Sequence, residues 1–131
     1  MMQHETIDIR QRFQLGKMAI IRAALSYCED NKIDYLGLTM RHAIGDFGIV
    51  GHLDHVQLTH SERQHGEYIT YDGLKLNAIA IESQQGTVLS IYSTPEHQDL
   101  KIWIRTLFTE QEMYTTILLP SEYHDKKEAY K

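Results

Sequence analysis

The sequence predicts an α+β domain, with two or three short helices followed by a three- to four-stranded, mainly antiparallel β-meander. The last third holds β-rich runs separated by short polar segments, which is how hairpin-connected strands read. Between Ile21 and Asn31 the apolar residues recur at helical spacing. No Pro/Gly/Ser-rich linker or internal repeat divides the 131 residues, so a single domain with one core is expected.

Along the chain, residues 1–12 are mostly polar and residues 124–131 (HDKKEAYK) are charged. Both ends are expected to be flexible around an ordered core of residues 13–123. The run Leu15 to Ile21 (LGKMAII) fits a short strand or the first turns of a helix. Ile20, Ala24, Tyr27 and Cys28 share one helical face, with Ile21 and Leu25 beside them, which places a helix over Ile21 to Asn31. Asp34 is suited to cap a second short helix that carries Ile33, Leu36 and Met40 on one side and ends near Gly45.

Residues 48–71 carry only scattered apolar positions, and they fit either a hairpin turning near Gln64-His65-Gly66 or an exposed helix. Leu74 to Gln85 fits both periods, and Gly86 as a residue just past a helix end favours helix. Three strands then follow. Thr87 to Ser93 alternates Thr87, Leu89 and Ile91 with Val88, Ser90 and Tyr92. Leu100 to Thr106 sets Leu100, Ile102 and Ile104 against Lys101, Trp103 and Arg105, and Met113 to Leu119 completes the meander. Loops at 94–99 and 109–112 suit antiparallel neighbours, and Pro120, lacking an N–H, ends the last strand.

Composition narrows the function classes. At 42% apolar and 24% charged the chain is an ordinary globular one, expected to fold without a partner. Cys28 is the sole cysteine, which excludes an intramolecular disulfide and a cysteine-based zinc site and fits a reducing cytoplasm. The stretch Met1 to Arg10 lacks the apolar core of a signal peptide, and apolar runs such as Met18 to Ile21 are far too short for a membrane span. A net charge of −5 opposes direct nucleic-acid binding through many phosphate contacts.

Two phrases stand together: Arg41-His42-Ala43-Ile44-Gly45-Asp46-Phe47-Gly48, and Ile102-Trp103-Ile104 followed by Thr115-Thr116-Ile117-Leu118-Leu119-Pro120-Ser121-Glu122-Tyr123. With Asn77 and Ser90-Ile91-Tyr92 in order between them, the chain resembles a family of small plasmid and prophage proteins with the pattern RHxxGDWG, S-x-Y, IWIITE and TTxLLPxEY. The likeness runs from Leu15 to Tyr123 with interruptions. Phe47 stands where that pattern has Trp, Thr109 to Tyr114 (TEQEMY) replaces a segment carrying Asp-Arg-Ser, and residues 50–71 look added. The resemblance therefore implies a divergent member and a mobile-element setting.

Several residues are candidates for chemistry. His42 between Arg41 and Asp46 fits a general acid/base; local capping chemistry favours the other reading, Asp46 as a turn cap and His42 as a hydrogen-bonded tie between helix and sheet. By analogy with the folds of barnase-, colicin- and RelE-like nucleases, His42, Arg105, Thr116 and Tyr123 would form a metal-independent ribonuclease site. The acidic charge and Glu112 oppose that reading, since such a site must bind a polyanion. His52, His55, His60 and His65, with Asp54 and Glu62 nearby, are weak metal candidates without a zinc-protease motif. Cys28 reads as a buried, inert thiol.

Tyr92 and Trp103 read as a cross-strand aromatic pair or an exposed anchor. No Gly-rich phosphate loop or serine nucleophile elbow occurs, and no cofactor is expected. The function expected is a small acidic binding protein that docks on a host protein or ribonucleoprotein complex through Arg41, His42, Asp46, Trp103 and Arg105. A defence system such as CRISPR or restriction is the natural target, because an acidic surface can fill a site built for nucleic acid. The alternative is the ribonuclease-like toxin.

Overall fold

The computed structural model describes residues 10–51, 58, 60–94 and 97–122. In chain order these form β1 (Lys17–Ile20), α1 (Arg22–Asp30), α2 (Tyr35–Ala43), α3 (His60–Gln64), α4 (Gly66–Ile69), α5 (Tyr71–Ser83), β2 (Gly86–Thr94), β3 (His97–Phe108) and β4 (Met113–Leu118). A 3-10 turn over Pro120–Glu122 follows, where proline ends the last strand as expected. The fold is α+β, with five helices among the described residues instead of two or three.

The sheet runs in the order β1-β4-β3-β2. Strands β2, β3 and β4 are the antiparallel meander, while β1 pairs in parallel with β4, Lys17 opposite Tyr114 and Ile20 opposite Ile117. Leu15 to Ile21 thus resolves as a strand, and the sheet is mixed. Gly16 makes the turn into β1 at φ +66, where a Cβ would sit 2.1 Å from the Met113 carbonyl oxygen. Glu112 steadies the same corner, accepting from the Tyr114 hydroxyl and lying 3.1 Å from the Lys17 ammonium.

Both faces of the sheet are covered. Helices α1 and α2 pack on the face of Tyr92, Ile102, Ile104 and Ile117, with Ala24 and Cys28 fully buried between. Alternate β3 residues point to opposite faces. Trp103, Leu89, Ile91 and Leu118 therefore face the other way, into a cluster with Val50, Ile69 and Ala80 from the α3 to α5 side. Every residue from Lys101 to Phe108 is buried as a result. This corrects the aromatic-pair expectation: Ile91 is the partner of Trp103 and Ile102 that of Tyr92, so the two rings lie on opposite faces and neither is an exposed anchor.

Local details differ from the sequence reading in instructive ways. Asp34 caps α2 through Gly37 N–H at 3.0 Å, yet Leu36 and Met40 face solvent, because α2 buries Thr39, His42 and Ala43. The left-handed residue closing α5 is Gln84, at φ +58, while Gly86 already begins β2. Strand β3 starts at His97, opposite Thr94, shortening the expected 94–99 loop. Residues 60–69 form two short helices and no hairpin. Near the amino end Arg12 is tied down, its N–H donating to the Ala43 carbonyl at 2.8 Å.

The outer edge of β2 is closed. Asn77 on α5 donates to the Leu89 carbonyl at 2.8 Å and accepts from the Leu89 N–H at 2.9 Å, like a neighbouring strand. Two residues on, Ile49 N–H donates to the Ile91 carbonyl and Ile91 N–H to the Phe47 carbonyl, at 2.7 and 3.1 Å. The chain crosses this edge at Gly48, φ +70, where a Cβ would lie 1.9 Å from the Ile91 oxygen. Such caps prevent edge-to-edge pairing. No helix among the described residues is long and apolar enough to cross a membrane.

Candidate functional site

The phrase 41–48 builds the seam between α2 and the β2 edge. His42, fully buried at the end of α2, contacts Ser90 Oγ through Nδ1 and Thr106 Oγ1 through Nε2 at 2.8 Å. The hydroxyl chain fixes its tautomer. Thr115 donates its proton to the Leu15 carbonyl at 2.6 Å, so it must accept from Thr106 at 2.7 Å; Thr106 in turn must accept from His42. His42 therefore carries its proton on Nε2 and accepts from Ser90 on Nδ1, which satisfies both nitrogens of a neutral imidazole. Burial lowers its pKa to about 3. A group so held is a structural tie and does not exchange protons near neutrality.

Arg41 and Asp46 are the exposed half of the seam. The guanidinium Nε lies 2.6 Å from Asp46 Oδ2 and its carbon 4.7 Å from the Tyr92 ring centroid. Asp46 accepts from Gly48 N–H through its other oxygen, and its carbonyl accepts from the Tyr92 hydroxyl. The Arg41 hydrogen bond holds the Asp46 pKa below its ordinary value. On the same helix Leu36 and Met40, one turn apart, remain 60% and 58% exposed, and Met40 directly precedes Arg41 in the chain.

The opposite face of the sheet holds a second polar cluster. Lys101 Nζ is 3.1 Å from Glu62 Oε1, both side chains wholly buried. His65 meets Trp103 edge-on at 5.8 Å, and burial lowers the His65 pKa. Arg105, nearly buried, is the cross-strand partner of Thr116. Thr106, the partner of His42, is the next residue after Arg105, so the sheet lies between His42 and the Arg105–Thr116 pair. The structure does not bring the four ribonuclease candidates together, and Tyr123 lies outside the described residues.

Of the residues expected to bind a partner, Arg41 and Asp46 reach the surface, whereas His42, Trp103 and Arg105 are interior. Among the metal candidates, His52 and His55 lie outside the described residues, His60 is exposed beside Gln64, and His65 packs on Trp103. No group of three or more metal-ligating side chains occurs among the described residues. Sequence reading missed the Glu62–Lys101 pair. Its only signal was the placement of Lys101 opposite Ile102 in the strand alternation, with nothing to name Glu62 as its partner. No family model, curated protein or solved structure matches the chain.

Proposed function

We propose that the chain is a small binding protein of a mobile element that docks on a host protein complex through the outer face of α2, and that a defence complex is its target. The observation behind this reading is the pairing of Leu36 with Met40, one turn apart and both more than half exposed on a helix whose buried side is elsewhere. Met18 and Ile79 are also exposed but stand singly, which is ordinary for a protein surface. Arg41, fixed by Asp46 and the Tyr92 ring, supplies an oriented cation at the border of the patch. An apolar centre with a pre-organised arginine at its rim is the usual composition of an interaction hot spot. The acidic net charge of −5 favours a basic partner surface, of the sort that handles nucleic acid.

Affinity capture from a host lysate tests this, with the Leu36→Glu, Met40→Glu double variant run in parallel. The expected outcome is a stoichiometric protein that the native chain retains and the variant loses by about tenfold or more. Equal recovery by both chains, or no stoichiometric protein, would sink the reading.

A further inference from the structure

The outer face of α2 is complementary to itself when reversed. The helix buries Thr39, His42 and Ala43. Of its exposed residues, Leu36 and Met40 form one flank, a turn apart. The other flank carries Asp34 at its amino end and Arg41 at its carboxyl end, seven positions or about 10 Å apart along the axis. Gly37 stands between the flanks, and the Asp34 carboxylate leans over it, 2.6 Å from where a Cβ would lie. Both pairs are centred within one residue of Gly37. One Asp34 oxygen accepts from the Gly37 N–H, and Arg41 meets Asp46 through Nε. The second Asp34 oxygen and the terminal guanidinium nitrogens of Arg41 take no other hydrogen bond among the described residues, and an arginine fork can serve two carboxylates.

We propose that α2 is the interface of a weak homodimer, in which two copies of the chain pack their α2 helices antiparallel about a twofold axis beside Gly37. Such an axis sets the same flank of each copy together in opposite directions. Leu36 then meets Met40 of the second copy, and Asp34 meets Arg41 of the second copy, each contact occurring twice. A parallel pairing would instead set like charges side by side. Gly37, having no side chain, lets the two helices approach closely where they cross. One nine-residue helix covers less than a standard interface, and the net charge of −5 on each copy opposes association. The dimer is therefore weak, with a Kd on the order of 0.1 mM. Its surface is the one assigned above to a host complex, which must displace the second copy. The dimer is measured on the purified chain alone, so a monomer would leave host docking standing and a failed capture would leave the dimer standing.

Sedimentation equilibrium over about 5 to 500 µM should carry the native chain from mostly monomer to mostly dimer. The Leu36→Glu, Met40→Glu chain should stay monomeric. Asp34→Lys and Arg41→Glu should each weaken self-association by at least about tenfold, and mixing these two variants should restore it, because each then offers the charge that the other lacks. Because Asp34→Lys also removes the α2 cap, a thiol test keeps both charges in place. Leu36→Cys and Met40→Cys chains mixed under mild oxidation should join at least about fivefold faster than either alone, as disulfide geometry requires of facing residues; the native Cys28 is buried. A native chain that stays monomeric throughout, a Leu36→Glu, Met40→Glu chain that dimerises as tightly, charge variants that gain nothing on mixing, or equal cross-linking rates would each overturn the interface.

Discussion

His42 shows how a single buried residue couples stability to pH. In the folded chain it stays neutral down to about pH 3, whereas an unfolded imidazole protonates near about pH 6.5. Its contribution is complete above the unfolded value. As pH falls through that window the unfolded chain alone gains a proton, and stability drops by up to about 1.4 kcal/mol per pH unit. His42→Gln should remove that slope, seen as a difference in urea midpoints between the two chains across about pH 3 to 7. Asp46 and Glu112 also titrate low, but they are present in both chains and cancel. Gly48 makes a second residue-scale test. Gly48→Ala puts a methyl group into the Ile91 carbonyl at positive φ and should cost about 3 kcal/mol or more, as backbone strain with a clash does. Gly66→Ala meets nothing within 4 Å and should change stability by less than about 1 kcal/mol. Thermal unfolding of both variants distinguishes a backbone requirement from general intolerance of substitution.

At the scale of the element, α2 and α5 face two ways for different reasons. Leu36 and Met40 contribute little to the core, so the Leu36→Glu, Met40→Glu chain should unfold within about 0.5 kcal/mol of the native one. A larger loss by chemical denaturation would mean that this face packs against the chain itself. Asn77 acts through the β2 edge. Asn77→Ala strands the Leu89 N–H and carbonyl and should cost about 2 to 4 kcal/mol, with faster exchange at the Leu89 amide. The strands were legible because β-rich runs alternate and end at turn residues, and α1 because its apolar stripe coincides with its buried one. The side of α2 marked by Leu36 and Met40 is equally plain in sequence, but helical period does not say which face the sheet will cover. Helices α3 and α4 span five and four residues, too short to show a period at all.

For the whole molecule, the buried Glu62–Lys101 pair joins the α3 layer to the sheet. Glu62→Leu alone should cost about 3 to 5 kcal/mol, because it removes the carboxylate that faces a wholly buried ammonium. Combining it with Lys101→Met should restore stability to within about 1 kcal/mol of the native chain, as replacement of a buried ion pair by apolar side chains commonly does. Denaturant unfolding of the two single variants and the double variant closes the cycle; a double variant as unstable as the worse single one would refute this account. The sheet is asymmetric in the same way at its edges. Asn77 and residues 47–49 satisfy β2, while β1 lies at the other end of the strand order with Lys17, Met18 and Ala19 exposed.

The sequence by itself determined the α+β class, the antiparallel meander and the end of α2 near Gly45, because strand alternation, helix caps and glycine turns are local and read along the chain. Only the tertiary structure decided what the residues of these elements do. It covered both faces of the sheet, which turned Trp103 and Arg105 from expected contact residues into interior ones. It placed the His42 and Arg105 sides apart and joined Glu62 to Lys101 across 39 positions of chain. Period two tells which residues share a face; which face is covered, and by what, depends on how distant segments pack.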